Sequence, residues 1–119
     1  MKSALIIEDS ESINKLWRKV ARKCWYFSID SAETIDEARS LLKNKKYDLI
    51  VTDVHMDGGT ATDLLIEEKE KVKDTKIVII SAINIIHVYQ IASKMIAEGL
   101  NVVESLGKPV DIKILKALL

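Results

Sequence analysis

The feature that most constrains this chain is an alternation between short aliphatic runs and longer amphipathic segments. Three runs, 4–7, 48–52 and 77–80, are rich in isoleucine, leucine and valine. Near-continuous apolar runs of this length are typical of strands buried on both faces of a parallel sheet. Two less uniform runs, 26–30 and 101–106, are expected to form outer strands. The alternation therefore predicts an α/β fold with a five-stranded parallel sheet.

The amphipathic segments between these runs predict helices. Apolar residues between 13 and 24 recur at steps of three and four, which indicates a first helix with one apolar face. A second helix is predicted to open at Thr34, because Glu37 stands three positions later and completes a capping-box pattern. A third helix is predicted to follow Thr60 as its N-cap, with Asp63 in its first turn.

A fourth helix is predicted for 84–98, ending at Gly99, and a short fifth helix for 111–119. The fourth helix carries more apolar residues than one buried stripe requires, so some of them should face outward. The apolar residues in this region are Ile83, Ile85, Ile86, Val88, Ile91, Met95 and Ile96.

Length and composition limit the kind of protein. A chain of 119 residues has the size of one compact domain, spanning 1–119, either alone or at the start of a longer protein. Basic and acidic residues number 18 each, so no net charge favours direct binding to nucleic acid. The single cysteine, Cys24, excludes an internal disulfide and fits a reducing compartment. We therefore expect a cytoplasmic domain that neither crosses nor binds a membrane.

Polar residues stand at the ends of the predicted strands. Glu8 and Asp9 follow the first strand, Asp53 follows the third, Ser81 follows the fourth, and Lys108 comes after the fifth. Ligands of open α/β sheets bind beyond the carboxyl ends of the strands. These five side chains are therefore expected to converge at one edge of the sheet.

Three carboxylates in one place repel one another unless a cation neutralises them. Oxygen-only ligation without supporting cysteines or paired histidines favours Mg²⁺, or Mn²⁺, over zinc. Phosphoryl transfer needs positioned groups that stabilise charge on the phosphoryl oxygens. Asp53 as nucleophile, Ser81 as hydroxyl donor and Lys108 as ammonium supply that chemistry.

Four short motifs lie at the ends of the predicted strands: Ile7-Glu8-Asp9, Asp53-Val54-His55-Met56, Ile80-Ser81-Ala82 and Gly107-Lys108-Pro109. In this order they resemble the receiver domains of two-component response regulators, and the resemblance covers essentially the whole chain. It implies a flavodoxin-like doubly wound sheet with strand order 2-1-3-4-5 and helices on both faces.

The resemblance also implies a metal site. By it, Asp9 and Asp53 ligate Mg²⁺, Glu8 supports the metal through water, and the backbone carbonyl of His55 is a further ligand.

The phosphoryl group itself is implied to come from a sensor histidine kinase or a phosphotransfer protein. Asp53 would accept it, Ser81 would bond one of its oxygens and report phosphorylation, and Lys108 would pair with it. The implied result is a changed conformation of the face formed by the fourth helix, fifth strand and fifth helix. That face is then expected to contact a second copy of the chain or an output domain.

Two positions depart from the family pattern. Asp57 stands where the family usually has a proline, and Ser105 stands where an aromatic switch residue is expected. A degenerate receiver that binds partners without being phosphorylated is therefore one alternative.

A phosphatase of the haloacid dehalogenase type is the other alternative, because such enzymes also use an aspartate nucleophile and Mg²⁺. That family places its Asp-x-Asp after the first strand. Here Asp53 follows the third strand, and His55 occupies the place of the second acid. The pattern favours a phosphoacceptor over a turnover enzyme.

Overall fold

The computed structural model describes residues 2–23, 28–56, 59–81 and 85–107, together with Lys113 and Ala117. In chain order the elements are β1 (Ser3–Ile7), α1 (Glu11–Lys23), β2 (Ser28–Ala32), α2 (Ile35–Asn44), β3 (Leu49–Asp53), β4 (His55–Met56), β5 (Gly59–Thr60), α3 (Ala61–Glu67), α4 (Lys69–Val72), β6 (Lys76–Ser81), α5 (Ile85–Ala97) and β7 (Val102–Gly107).

Five of these strands form one parallel sheet with the order β2-β1-β3-β6-β7. This is the predicted order 2-1-3-4-5 when only the strands of this sheet are counted. Ile7 lies opposite both Ala32 and Thr52, and Asp53 lies opposite Ile80. The carboxyl ends of the strands are therefore nearly level, which brings the residues that follow them to one edge.

The core lies on both faces of the sheet. Along β1, Leu5 and Ile7 belong to one buried cluster, whereas Ala4 and Ile6 belong to another. Because successive side chains of a strand point to opposite faces, the two clusters lie on opposite sides of the sheet. One cluster includes residues of α2, α3 and α5, and the other includes Trp17 of α1. The predicted doubly wound α/β architecture is confirmed.

The outer strand β2 is observed at Ser28–Ala32 and ends two residues later than the predicted strand 26–30, of which residues 26 and 27 lie outside the described residues. Four of its five residues are only partly buried. A half-exposed edge strand has no continuous apolar run, so its boundaries are weakly specified in the sequence.

The other outer strand, β7, contains an irregularity. Ile77 lies opposite Val102, but the next residue, Val78, lies opposite Glu104. Val103 is thus the extra residue of a bulge. The strand extends to Gly107 in place of the predicted end at residue 106.

The predicted start of α2 at Thr34 and the predicted end of α5 at Gly99 are confirmed. The Thr34 side chain accepts a hydrogen bond of 3.1 Å from the backbone N–H of Glu37. Gly99 has a φ of 92°, its N–H donates to the Ile96 carbonyl, and the N–H of Leu100 donates to the Met95 carbonyl. This pair of bonds is a Schellman motif, which requires a left-handed residue and so favours glycine.

The third predicted helix is interrupted. It forms two pieces, α3 and α4, and Glu68 between them adopts the non-helical angles φ −101° and ψ 22°. Asp63 lies in the first turn of α3, as predicted. Thr60 directly precedes α3 and pairs with His55 in the small antiparallel β4–β5 ladder, which the sequence analysis did not predict.

Most of the predicted fifth helix lies outside the described residues. Lys113 and Ala117 are both helical. Among the residues that the structure describes, no helix combines the length and the apolar character that crossing a bilayer demands.

Candidate metal and phosphoryl site

The carboxyl end of β1 presents Glu8 and Asp9. Glu8 is fully buried, and its backbone N–H donates to the carbonyl of Ala32 at 3.0 Å, which extends the β1–β2 ladder by one residue. Its Oε1 accepts a hydrogen bond of 3.2 Å from the backbone N–H of Ser10. Asp9, by contrast, is exposed. Glu8 is therefore held in the protein interior, whereas Asp9 faces solvent.

Asp53 is the last residue of β3, the central strand of the sheet, and is only 8% exposed. Its backbone carbonyl accepts a 2.8 Å hydrogen bond from Oγ1 of the buried Thr52. The neighbouring strands β1 and β6 enclose this position on both sides. Asp53 consequently lies at the centre of the carboxyl edge with little freedom to move.

The three predicted acids meet in space. Glu8, Asp9 and Asp53 each offer a carboxylate oxygen, and these oxygens all lie within 4.8 Å of one another. Three anionic groups this close repel one another unless a cation compensates them. Their donor set of hard oxygens, two of them on buried residues, fits Mg²⁺, Mn²⁺ or Ca²⁺ better than a metal that prefers nitrogen or sulfur. The cluster can therefore hold a divalent ion.

Ser81 ends the neighbouring strand β6 and is buried, with 1% exposure. It lies opposite Gly107 of β7, and the preceding Ile80 lies opposite Asp53. The hydroxyl residue and the acids thus belong to the same edge of the sheet, as predicted.

Two predicted site residues lie wholly or partly outside the described part of the chain. Lys108 follows Gly107 directly but lies outside the described residues, so its role stays a prediction. The backbone of His55 lies in β4, two residues after Asp53, whereas its side chain is not described. The predicted ligand from His55 is a backbone carbonyl, and its coordination also stays a prediction.

One residue of this region was missed by the sequence analysis. Asn14 of α1 is 4% exposed, and its Nδ2 donates a 2.6 Å hydrogen bond to the carbonyl oxygen of Glu8. The signal was present in the sequence: Asn14 lies three residues before the buried Trp17, so it falls on the apolar face of α1. A polar residue on such a face needs a partner.

The family model of the response regulator receiver domain matches residues 4–119. No curated protein matches the chain.

Three solved structures of similar fold are informative. TrrA, a response regulator from Thermotoga maritima solved with Mg²⁺ and beryllium fluoride, is 26% identical with a TM-score of 0.80, over 99% of this chain and 96% of its own. A response regulator from Burkholderia pseudomallei, solved with a phosphorylated aspartic acid, calcium and citrate, is 22% identical with a TM-score of 0.81, over 100% and 67% of the two chains. A chemotaxis response regulator of Vibrio cholerae is 20% identical with a TM-score of 0.83, over 99% and 95%.

The family match over nearly the whole chain agrees with the strand order of the sheet and with the acidic cluster at its carboxyl edge. This chain belongs to the family of receiver domains of two-component response regulators.

Proposed function

We propose that this receiver domain accepts a phosphoryl group on Asp53 in a reaction that depends on a divalent metal ion. The observation that carries the proposal is the cluster itself, in which the buried end of the central strand places Asp53 within 4.8 Å of two further carboxylates. An Asp53 oxygen forms a bond to phosphorus, and the bond between phosphorus and the donor's leaving atom breaks. The phosphoryl group stays on the chain, so the product is a modified protein and not a released molecule.

The metal would be Mg²⁺, with Mn²⁺ as the alternative. Asp9 and Asp53 would ligate it directly, Glu8 would act through water, and the His55 carbonyl would complete the protein's share of the ligands. When bound, such an ion supplies positive charge that compensates the carboxylates and the phosphoryl oxygens.

Two further residues would act on the phosphoryl group. Ser81, buried on the adjacent strand, would donate its hydroxyl to a phosphoryl oxygen, and Lys108 would contribute an ammonium charge. The Ser81 bond would pull the end of β6 toward Asp53. That movement is the proposed link between phosphorylation and the rest of the domain.

The proposed donor is a sensor histidine kinase or a phosphotransfer protein. With such a donor, the bond that breaks joins phosphorus to an imidazole nitrogen. The proposed output surface is the face formed by α5, β7 and the segment after it. Its support is apolar exposure: Ile86 is 63% exposed and Ile96 is 54% exposed, although Val88 and Met95 of the same helix are fully buried.

The function can be tested with a small phosphodonor such as acetyl phosphate and Mg²⁺, followed by intact-mass measurement. Wild-type protein should gain one acid-labile phosphoryl group, and Asp53→Asn should gain none. Asp74→Asn is the matched control, because Asp74 is an exposed acid just before the amino end of β6, at the opposite edge of the sheet. Unchanged uptake by Asp53→Asn would refute the assignment, whereas no uptake by wild type would identify a receiver that acts without phosphorylation.

A further inference from the structure

We propose that Asn14 is a positioning residue that fixes the direction in which Asp9 presents its carboxylate to the metal. The inference rests on the proposed function, since it concerns the proposed metal site. It assigns a role to a residue of α1 that is neither a ligand nor in contact with the phosphoryl group.

Asn14 contacts the peptide bond between Glu8 and Asp9. The carbonyl oxygen of Glu8 and the N–H of Asp9 belong to the same planar peptide group. Nδ2 of Asn14 binds that oxygen at 2.6 Å in a buried position. Asn14 therefore restrains the rotation of the whole peptide plane, and with it the direction of the bond from Cα to Cβ in Asp9.

The N–H and the side chain of Glu8 are also held by hydrogen bonds. Its N–H is held by the carbonyl of Ala32, and its Oε1 accepts from the N–H of Ser10. The carbonyl of Ser10 in turn accepts a 3.0 Å bond from the N–H of Asn14. Glu8, Ser10 and Asn14 thus form a closed ring of hydrogen bonds around the turn that contains Asp9.

Asp9 has little else to restrain it. The residue is exposed, and within the described ranges its carboxylate makes no hydrogen bond and no ion pair. Asp53, in contrast, is confined by its place at the end of a central strand. Of the two proposed direct carboxylate ligands, only Asp9 depends on the turn for its orientation.

The Asn14 amide satisfies the buried Glu8 carbonyl but leaves one of its own polar atoms without a partner. Oδ1 of Asn14 is buried, and no described residue offers it a hydrogen-bond partner. A buried polar atom without a partner costs free energy, which an aliphatic residue on the apolar face of α1 would avoid. What the amide provides and an aliphatic residue cannot is the bond to the Glu8 carbonyl.

The test uses Asn14→Leu, which keeps the approximate size of the side chain and removes both polar atoms, and Asn14→Ala as a second variant in case the first fails to fold. The matched control is Thr75→Val. Thr75 is also buried, and its Oγ1 donates a 2.7 Å bond to the backbone carbonyl of Tyr47, at the amino edge of the sheet. Each change removes one buried bond from a side chain to a backbone carbonyl, but only Asn14 adjoins the acids.

Mg²⁺ alone is titrated against each protein by calorimetry, and thermal unfolding is measured in parallel. Because groups that orient metal ligands typically contribute 10- to 100-fold in affinity, we expect the Asn14 variants to bind Mg²⁺ about tenfold more weakly. Thr75→Val should bind it as wild type does, whatever its melting temperature. With acetyl phosphate, the Asn14 variants should need more Mg²⁺ for half-maximal phosphorylation yet approach the wild-type rate at saturating Mg²⁺.

The possible failures are distinguishable. Equal Mg²⁺ affinity in wild type and in a folded Asn14 variant would overturn this inference and leave the proposed function intact. Absence of Mg²⁺ binding by the wild type would overturn the proposed metal site and the inference together.

Discussion

The backbone N–H of Val54 donates a hydrogen bond of 3.1 Å to the carbonyl oxygen of Ile80. Val54 directly follows Asp53, and Ile80 directly precedes Ser81. The ladder between β3 and β6 therefore continues past the proposed phosphoacceptor. This bond joins the residue after Asp53 to the residue before Ser81.

Ser81→Ala should leave phosphorylation intact but remove the response of α5 to it. We expect the variant to take up phosphoryl groups on Asp53, because the acids are untouched, but to lose the bond that draws β6 toward the site. A hydrogen bond to a charged group contributes about 1.5–3 kcal/mol, enough to bias a two-state equilibrium tenfold or more. Amide hydrogen exchange of α5 with and without beryllium fluoride measures the coupling.

Ser93→Ala is the control for that measurement, since Ser93 is exposed on α5 itself. Wild type and this control should show the same response of α5. A full response in Ser81→Ala would show that the hydroxyl is not the link.

Asp9→Ala should greatly weaken Mg²⁺ binding while leaving the domain folded. The residue is exposed and contributes no described hydrogen bond to the fold, so its removal takes away a ligand and little else. Calorimetric titration of Mg²⁺ should show an affinity loss on the order of tenfold or more, since the ion has few protein ligands. Glu11→Ala, two residues away on the exposed first turn of α1, should bind as wild type does. Loss of affinity in both would indicate a general charge effect.

The position of the acids was predictable because the carboxyl ends of parallel strands lie at one edge, and the family resemblance gave the order of the strands. Once the aliphatic runs before Glu8 and Asp53 were recognised as neighbouring central strands, their carboxyl ends had to meet at one edge. The same holds for Gly99, where a helix end needs a left-handed residue. For the strand ends and for the helix end at Gly99, a single rule of backbone geometry predicted the feature that the structure shows.

The features that were not predicted depend on contacts between segments that are far apart in the sequence. The bulge at Val103 is set by pairing with β6, and nothing in the local sequence marks it. The break at Glu68 falls within a run of good helix formers, where local propensity predicts continuity. The sequence marks Asn14 as a polar residue on an apolar face, but its partner, the Glu8 carbonyl, is identified only when α1 is placed against the end of β1.

Tyr47→Phe should reveal a pH-dependent contribution to stability far from the site. The Tyr47 hydroxyl donates a 2.7 Å bond to Asp30, and this bond, with a smaller effect of the nearby Lys45 ammonium, holds the pKa of the Asp30 carboxyl below its ordinary value of 3.8. A carboxyl with a lowered pKa stabilises the folded state above the pKa of the unfolded chain, and this stabilisation is lost as the pH falls through the folded value.

The Asp30 side chain is 35% exposed, so we expect Tyr47→Phe to lower the free energy of unfolding by only about 1 kcal/mol at neutral pH. The difference from wild type should shrink below pH 3.8, as measured by urea unfolding across the acidic range. Tyr89→Phe removes the hydroxyl of an exposed tyrosine and should change little at any pH. A deficit in Tyr47→Phe that does not vary with pH would show that the bond to Asp30 is not its cause.

Helix α5 and strand β7 share an exposed apolar surface. A groove of about 380 Å³ lies between these elements, lined in part by Tyr89, Ile96 and Val103, and Ile86 is exposed on the same helix. Exposed aliphatic side chains grouped in this way are typical of contact surfaces. We expect phosphorylation, or beryllium fluoride with Mg²⁺, to promote contact of this surface with a second copy of the chain.

Sedimentation velocity with and without the phosphoryl mimic tests this expectation on wild type, Ile86→Glu and Ile96→Glu. Both variants should stay folded, within about 0.5 kcal/mol of wild type, because substitutions of exposed side chains away from special features rarely exceed that. Both should lose the mimic-induced association. Lys94→Glu makes a larger charge change on the same helix and should retain association if apolar contact drives it. The prediction would be wrong if wild type stayed monomeric in every condition and both isoleucine variants were unfolded. That result would show that these isoleucines belong to the core and not to an interface.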